Sequence, residues 1–226
     1  MKKTTILLFL LVSSMIQAQH YVALDVDVDR GMEKDVKLLF DNYIQKHGNS
    51  GMSILIFRNQ IRDNNLGSHT IVWIGSLDQV NNGLSGKNYK GNDTDFLWES
   101  LWKISNFKQN YTGEIISANG DPISNENQDF QIVYGITPKH RSKFIKSWDS
   151  MMKKIKVKGA RHLIATPILN RTNGSSIIGV NIGADYKSTL ESLDKLYESD
   201  EWPKLWQESG GWDINISYSR VVVARY

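Results

Sequence analysis

Val72-Trp73-Ile74-Gly75 returns as Val180-Asn181-Ile182-Gly183, 108 residues further along the chain. The same offset carries Leu97-Trp98 onto Leu205-Trp206, Lys46 onto Lys154, Gly51 onto Gly159, Ile56 onto Ile164 and Tyr89 onto Tyr197. Between these identities lie conservative pairs: Phe40 with Trp148, Tyr43 with Met151 and Ile44 with Met152. A single offset that aligns both residues and their hydrophobic pattern marks an internal duplication, and it fixes the fold before any other feature is read.

Each copy reads β-α-β-β-α-β. Period-two alternation predicts strands over 21–28 and 130–136, with Val22, Leu24 and Val26 set against Ala23, Asp25 and Asp27 in the first. Apolar residues at 3–4 spacing predict helices over 32–44 and 144–155. Strands two and three are expected over 52–57 and 69–74, joined across Asp63-Asn64-Asn65-Leu66-Gly67. Their copies fall over 162–169 and 176–182, joined across Asn173-Gly174. A second helix is expected over 187–197, with a further turn over 202–207. In the first copy Gly83, Gly86 and Gly91 predict a loop over 82–95, with helix resuming over 96–104. The modules are thus 20–118 and 130–226, with the polar stretch 119–129, carrying Asn119-Gly120-Asp121-Pro122, between them; a last long strand covers 213–226.

The 226 residues contain no cysteine, which excludes disulfides, thiolate metal sites and a cysteine nucleophile. Lys2 and Lys3 precede an apolar run over 6–12, and small residues lead to Ala18. This pattern predicts a signal peptide over 1–18 and an exported protein, periplasmic or extracellular. Without Lys2 and Lys3 the chain has 25 basic against 24 acidic side chains, which removes the electrostatic case for a nucleic-acid partner. No stretch is apolar for long enough to span a bilayer.

Two tandem β-α-β-β-α-β units of this size resemble the dimeric α/β-barrel superfamily of ferredoxin-like modules. The resemblance covers nearly the whole chain after the leader, and it is one of topology. It implies an α+β fold in which two four-stranded sheets face each other as an α/β barrel, with helices outside. A fused duplication supplies both sheets, so an oligomer is not required. The superfamily includes cofactor-independent monooxygenases, isomerases of the muconolactone type, haem-degrading enzymes and the chlorite-dismutase relatives, which carry two modules per chain. No motif specific to one member occurs here.

Alternation then sorts the candidates. Val22, Leu24 and Val26 suit helix packing, which turns Asp25 and Asp27 toward the opposite sheet. Val72, Ile74, Val180 and Ile182 are read as helix-side. That places His69, Trp73 and Asn181, with Gln131, between the sheets. His69, Asp25 and Asp27 are the catalytic candidates, since carboxylates beside an imidazole can move protons. Trp73, Gln131, Asn181, Trp98 and Trp206 are the ligand-binding candidates. Duller readings stand beside these: a solvated strand rim for the aspartates, an exposed hairpin histidine at His69, and core packing for the repeated Trp98 and Trp206. Trp202 and Trp212 add aromatic density near the helix ends, where a sheet–helix pocket would lie. No metal or cofactor motif occurs, and HExxH and G-x-S-x-G are both missing. The expected function is small-molecule binding, in the barrel or in a sheet–helix pocket. The alternatives are a cofactor-independent monooxygenase or isomerase, and a haem-binding relative.

Overall fold

The computed structural model describes residues 19–60, 66–85, 93–120, 129–155, 157–169 and 174–226. The leader over 1–18, the Asp63-Asn64-Asn65 turn, Asn173 and 121–128 of the inter-module stretch lie outside the described residues. The first copy comprises β1 (Gln19–Val28), α1 (Glu33–His47), β2 (Ser53–Asn59), β3 (His69–Gly75), α2 (Leu77–Leu84), α3 (Asp93–Ile104) and β4 (Ser105–Gly120). The second comprises β5 (Phe130–Pro138), α4 (Arg141–Lys154), β6 (Arg161–Leu169), β7 (Ile177–Gly183), α5 (Tyr186–Tyr197), α6 (Trp202–Ser209) and β8 (Trp212–Arg225).

The strands close into a barrel in the order β1-β3-β2-β8-β5-β7-β6-β4, and every neighbouring pair is antiparallel. Two long strands make the closure. β4 pairs with β1 of its own copy and then with β6 of the other, while β8 pairs with β5 and then with β2. Neither sheet keeps a free edge, so the two copies fold as one barrel.

Helix starts follow local chemistry. Asp185 and Ser188 form a reciprocal capping box at α5. Ser76 and Gln79 form another at α2, so helix covers Leu77–Leu84 where the glycines predicted a loop from residue 82. Gly83 fits inside that helix because the Met52 methyl occupies the place where a Cβ would stand. The loop prediction is also corrected at its far end, since α3 begins at Asp93.

The apolar residues form three layers: the barrel interior and one helix–sheet core on each side. Here the facing assignment of strand three is corrected. Ala23 pairs with Val72, Tyr21 with Ile74 and Asp25 with Thr70, and cross-strand partners share a face. Val72, Ile74, Val180 and Ile182 therefore line the interior. His69 pairs with Val26, Trp73 with Val22 and Asn181 with Ile132, so all three lie on the helix side.

Gly113 marks a tight approach within the wall. A Cβ there would lie 2.2 Å from the Thr166 carbonyl oxygen and 2.6 Å from Tyr21 Oη. Gly113→Ala is expected to lower stability by about 2 kcal/mol through overpacking against backbone, read as a lower urea midpoint at unchanged slope. An unchanged midpoint would mean that β4 shifts freely at this bulge.

Candidate functional site

The structure disperses the proposed catalytic set. Asp25 is fully buried inside the barrel, where Oδ1 accepts from Thr70 Oγ1 at 2.6 Å and Oδ2 accepts from Gln109 Nε2 at 2.7 Å. Asn59 Nδ2 donates to Thr70 Oγ1 at 2.9 Å and extends that network. Burial raises the Asp25 pKa, opposed by the hydrogen bonds from Thr70 and Gln109 and by the nearby Arg220 charge. Asp25 is thus no solvated rim residue. Asp27, at the strand end, accepts from the Ser68 N–H at 2.8 Å and pairs with Lys108 at 2.9 Å. His69 is buried on the helix side, its Nδ1 3.0 Å from Ser68 Oγ, so it is neither an exposed hairpin histidine nor an interior partner of Asp25.

The binding candidates divide between sites. Trp73 is buried between Phe40 and Trp98, with ring centroids 6.3 and 5.8 Å away, and Trp98 stacks on Trp102. Both belong to the first helix–sheet core. Gln131 faces the interior, where its Oε1 accepts from Arg220 Nε at 2.8 Å. Asn181 is buried against His162 on the helix side of the second sheet. Trp206 is half exposed and meets Trp212 edge to face at 4.5 Å.

The duplication explains what Trp206 is doing. Phe40 and Trp98 correspond, at the 108-residue offset, to Trp148 and Trp206. In the first copy the Trp73 indole fills the space between them; in the second, the equivalent Asn181 turns to His162. A cleft of about 360 Å³ remains between the second sheet and α4, α5 and α6, within the size range of ligand pockets. Its walls are aromatic: Tyr134, Trp148, Tyr197, Trp202, Trp206 and Trp212. Tyr134 lies across Gly179, whose missing side chain leaves room for the ring. Burial pushes the phenols of Tyr134 and Tyr197 above their usual pKa. Tyr134, Trp148 and Tyr197 were not among the sequence-based site candidates; at Tyr134 the available signal was its mismatch with Leu24, its counterpart by strand register in the first copy.

A second space lies inside the barrel. It measures about 70 Å³ and has mainly aliphatic walls, with Tyr21, Tyr111, Gln131, Tyr218 and Arg220 supplying the polar atoms. The Tyr111 and Tyr218 hydroxyls lie 3.3 Å apart, and the Arg220 guanidinium sits 3.8 Å above the Phe57 ring. Tyr21, Tyr111, Tyr218 and Arg220 lie on β1, β4 and β8, where the sequence alone does not say which face is enclosed.

No family model matches the sequence, and no curated protein matches it. Solved structures do. A candidate monooxygenase from Fusobacterium nucleatum superposes with a TM-score of 0.62 at 13% identity, over 93% of this chain and 95% of that one. A haem-binding protein from Thermus thermophilus superposes at 0.57 with 7% identity, over 92% of each chain. A chlorite dismutase variant from Candidatus Nitrospira defluvii superposes at 0.56 with 9% identity, over 91% of each. The fold is the dimeric α+β barrel.

In this dimeric α+β barrel both modules belong to one chain, so each can carry its own departures, as Trp73 and Asn181 do. The donor set of the second-module cleft does not fit haem. Among the described residues no histidine lines it, and burial disfavours the phenolates that tyrosine ligation of iron would use. Nor do the described residues contain a group of three or more His, Asp or Glu placed to hold a metal ion.

Proposed function

We propose that the chain is an exported binding protein for a flat, largely apolar small molecule, held in the cleft between the second sheet and α4, α5 and α6. The observation that carries this reading is the missing indole: Trp73 packs between Phe40 and Trp98 in the first copy, whereas the second has Asn181 at that position and keeps a cleft lined by Trp148, Trp206 and Trp212. Facing aromatic walls favour a planar guest by stacking and edge contacts. Export rests on the leader pattern over 1–18. A monooxygenase or isomerase reading needs a base beside the ligand. The described lining offers no carboxylate or imidazole, and its phenols are held in the neutral form.

The test is a tryptophan-fluorescence titration with 1-naphthol. Saturable quenching is expected, weakened about tenfold in Trp206→Ala, which corresponds to about 1.4 kcal/mol. Quenching without saturation, or equal affinity in the variant, would remove the cleft as the site.

A further inference from the structure

We infer that one mouth of the barrel is a second ligand site, separate from the aromatic cleft, for a small carboxylate with a short apolar body. Gln19, Ser53 and Arg161 open β1, β2 and β6, which begin at the same end of the barrel. Gln19 pairs with Ile115, Ser53 with Ile74 and Arg161 with Ile182, and these isoleucines belong to the interior layer. Cross-strand partners share a face, so the three polar residues turn inward at the rim. All three line an open depression of about 630 Å³. Barrel mouths are a recurrent place for ligands.

The deciding group is the Arg161 guanidinium. It is half-buried, and among the described residues it has neither an acidic partner nor a hydrogen-bond acceptor. Burial alone moves its pKa, downward, with no carboxylate to oppose the shift; an arginine stays charged regardless. Arg225, at the same end of the barrel, is by contrast paired with Asp129 at 2.9 Å. A partly desolvated cation without a counter-charge favours an anionic guest. Nε is enclosed, whereas the Nη nitrogens are not, so a carboxylate can take the paired donors at the tip of the fork. No Asp or Glu lines the depression to repel it, and Asp149 is held by Ser117 Oγ at 2.7 Å. Nor does the lining contain a second cation, so one negative charge is matched there and the two of a phosphate are not. Ile74, Ile115 and Ile116 supply the apolar contact. The guest rests in the open depression and need not enter the interior.

The experiment follows backbone amide and isoleucine methyl resonances of the full protein during titration with isovalerate, isovaleramide and inorganic phosphate. Isovalerate is expected to shift the Ser53 and Arg161 amides and the Ile74 and Ile115 methyls saturably. The neutral amide should bind about tenfold more weakly, a comparison that needs no variant. Arg161→Gln should weaken isovalerate by about the same factor, and saturating isovalerate should raise the denaturant midpoint of the wild type but not of that variant. Trp206→Ala should bind isovalerate as the wild type does, which separates this site from the cleft. Equal affinity for isovaleramide, equal isovalerate affinity in Arg161→Gln, or no saturable shift would each overturn the inference. Tighter binding of phosphate than of isovalerate, or weaker isovalerate binding in Trp206→Ala, would do so as well.

Discussion

Asp25→Ala is expected to lower the unfolding free energy by about 3–5 kcal/mol, in the range found when one member of a buried charged set is removed. The loss has two parts. Thr70 and Gln109 each aim a donor at the carboxylate, and both would face an apolar methyl group after the change. Arg220, itself buried, would lose its electrostatic interaction with the Asp25 carboxylate. Asp25→Asn separates the two parts, because Thr70 can turn its hydroxyl to Asn59 Oδ1, already 3.3 Å away. The asparagine variant should therefore be the milder one, and it cannot titrate. In the wild type, burial raises the Asp25 pKa above its ordinary 3.8. The folded state consequently holds this proton more tightly than the unfolded chain does. Stability associated with Asp25 is full below the ordinary carboxylate value and falls as pH rises through the raised one. Urea unfolding of both proteins between pH 4 and 8 should show the wild type losing stability relative to Asp25→Asn as pH increases. Parallel curves would mean that the folded protein does not perturb Asp25.

The 108-residue offset was legible because duplication repeats whole elements, so weak identities and hydrophobic periods reinforce one another. Facing was not. Alternation assigns a strand only when one side is wet, and β3 and β7 are buried almost throughout. Only the pairing of Asp25 with Thr70, and of Val22 with Trp73, decides which set looks inward. The site was half legible for a related reason. The mismatch of Trp73 with Asn181 stands in the sequence, and it draws attention to the tryptophan as a ligand platform. In the fold the tryptophan is the plug, and the candidate site lies where its counterpart is missing. Tyr21, Tyr111, Tyr218 and Arg220 escaped notice because alternating polar residues on a strand ordinarily mark its solvated face. Closure of β4 and β8 onto the opposite copy encloses that face, and closure depends on contacts between residues far apart in sequence.

The plug can be tested directly. Trp73→Ala is expected to lower stability by about 3–5 kcal/mol, the range for truncating a buried aromatic. Trp73 is 4% exposed and held between Phe40 and Trp98, so its removal leaves a void that the sheet beneath cannot follow. Trp206→Ala, at the matching position to Trp98 but 49% exposed, should cost less, about 2 kcal/mol. Equal losses for the two variants would mean that Trp206 packs as core and that the second cleft is closed in solution. The void should also acquire the chemistry of its counterpart. If an empty space between Phe40 and Trp98 accepts a planar guest as the space between Trp148 and Trp206 does, Trp73→Ala gains a second site. Saturating 1-naphthol should then stabilise Trp73→Ala more than it stabilises the wild type, because each site that binds only the folded state adds its own mass-action contribution. An equal increment in both proteins would show that the first copy collapses around the missing indole, and that an open cleft also depends on the residues peculiar to the second copy, with Tyr134 over Gly179 the first to examine.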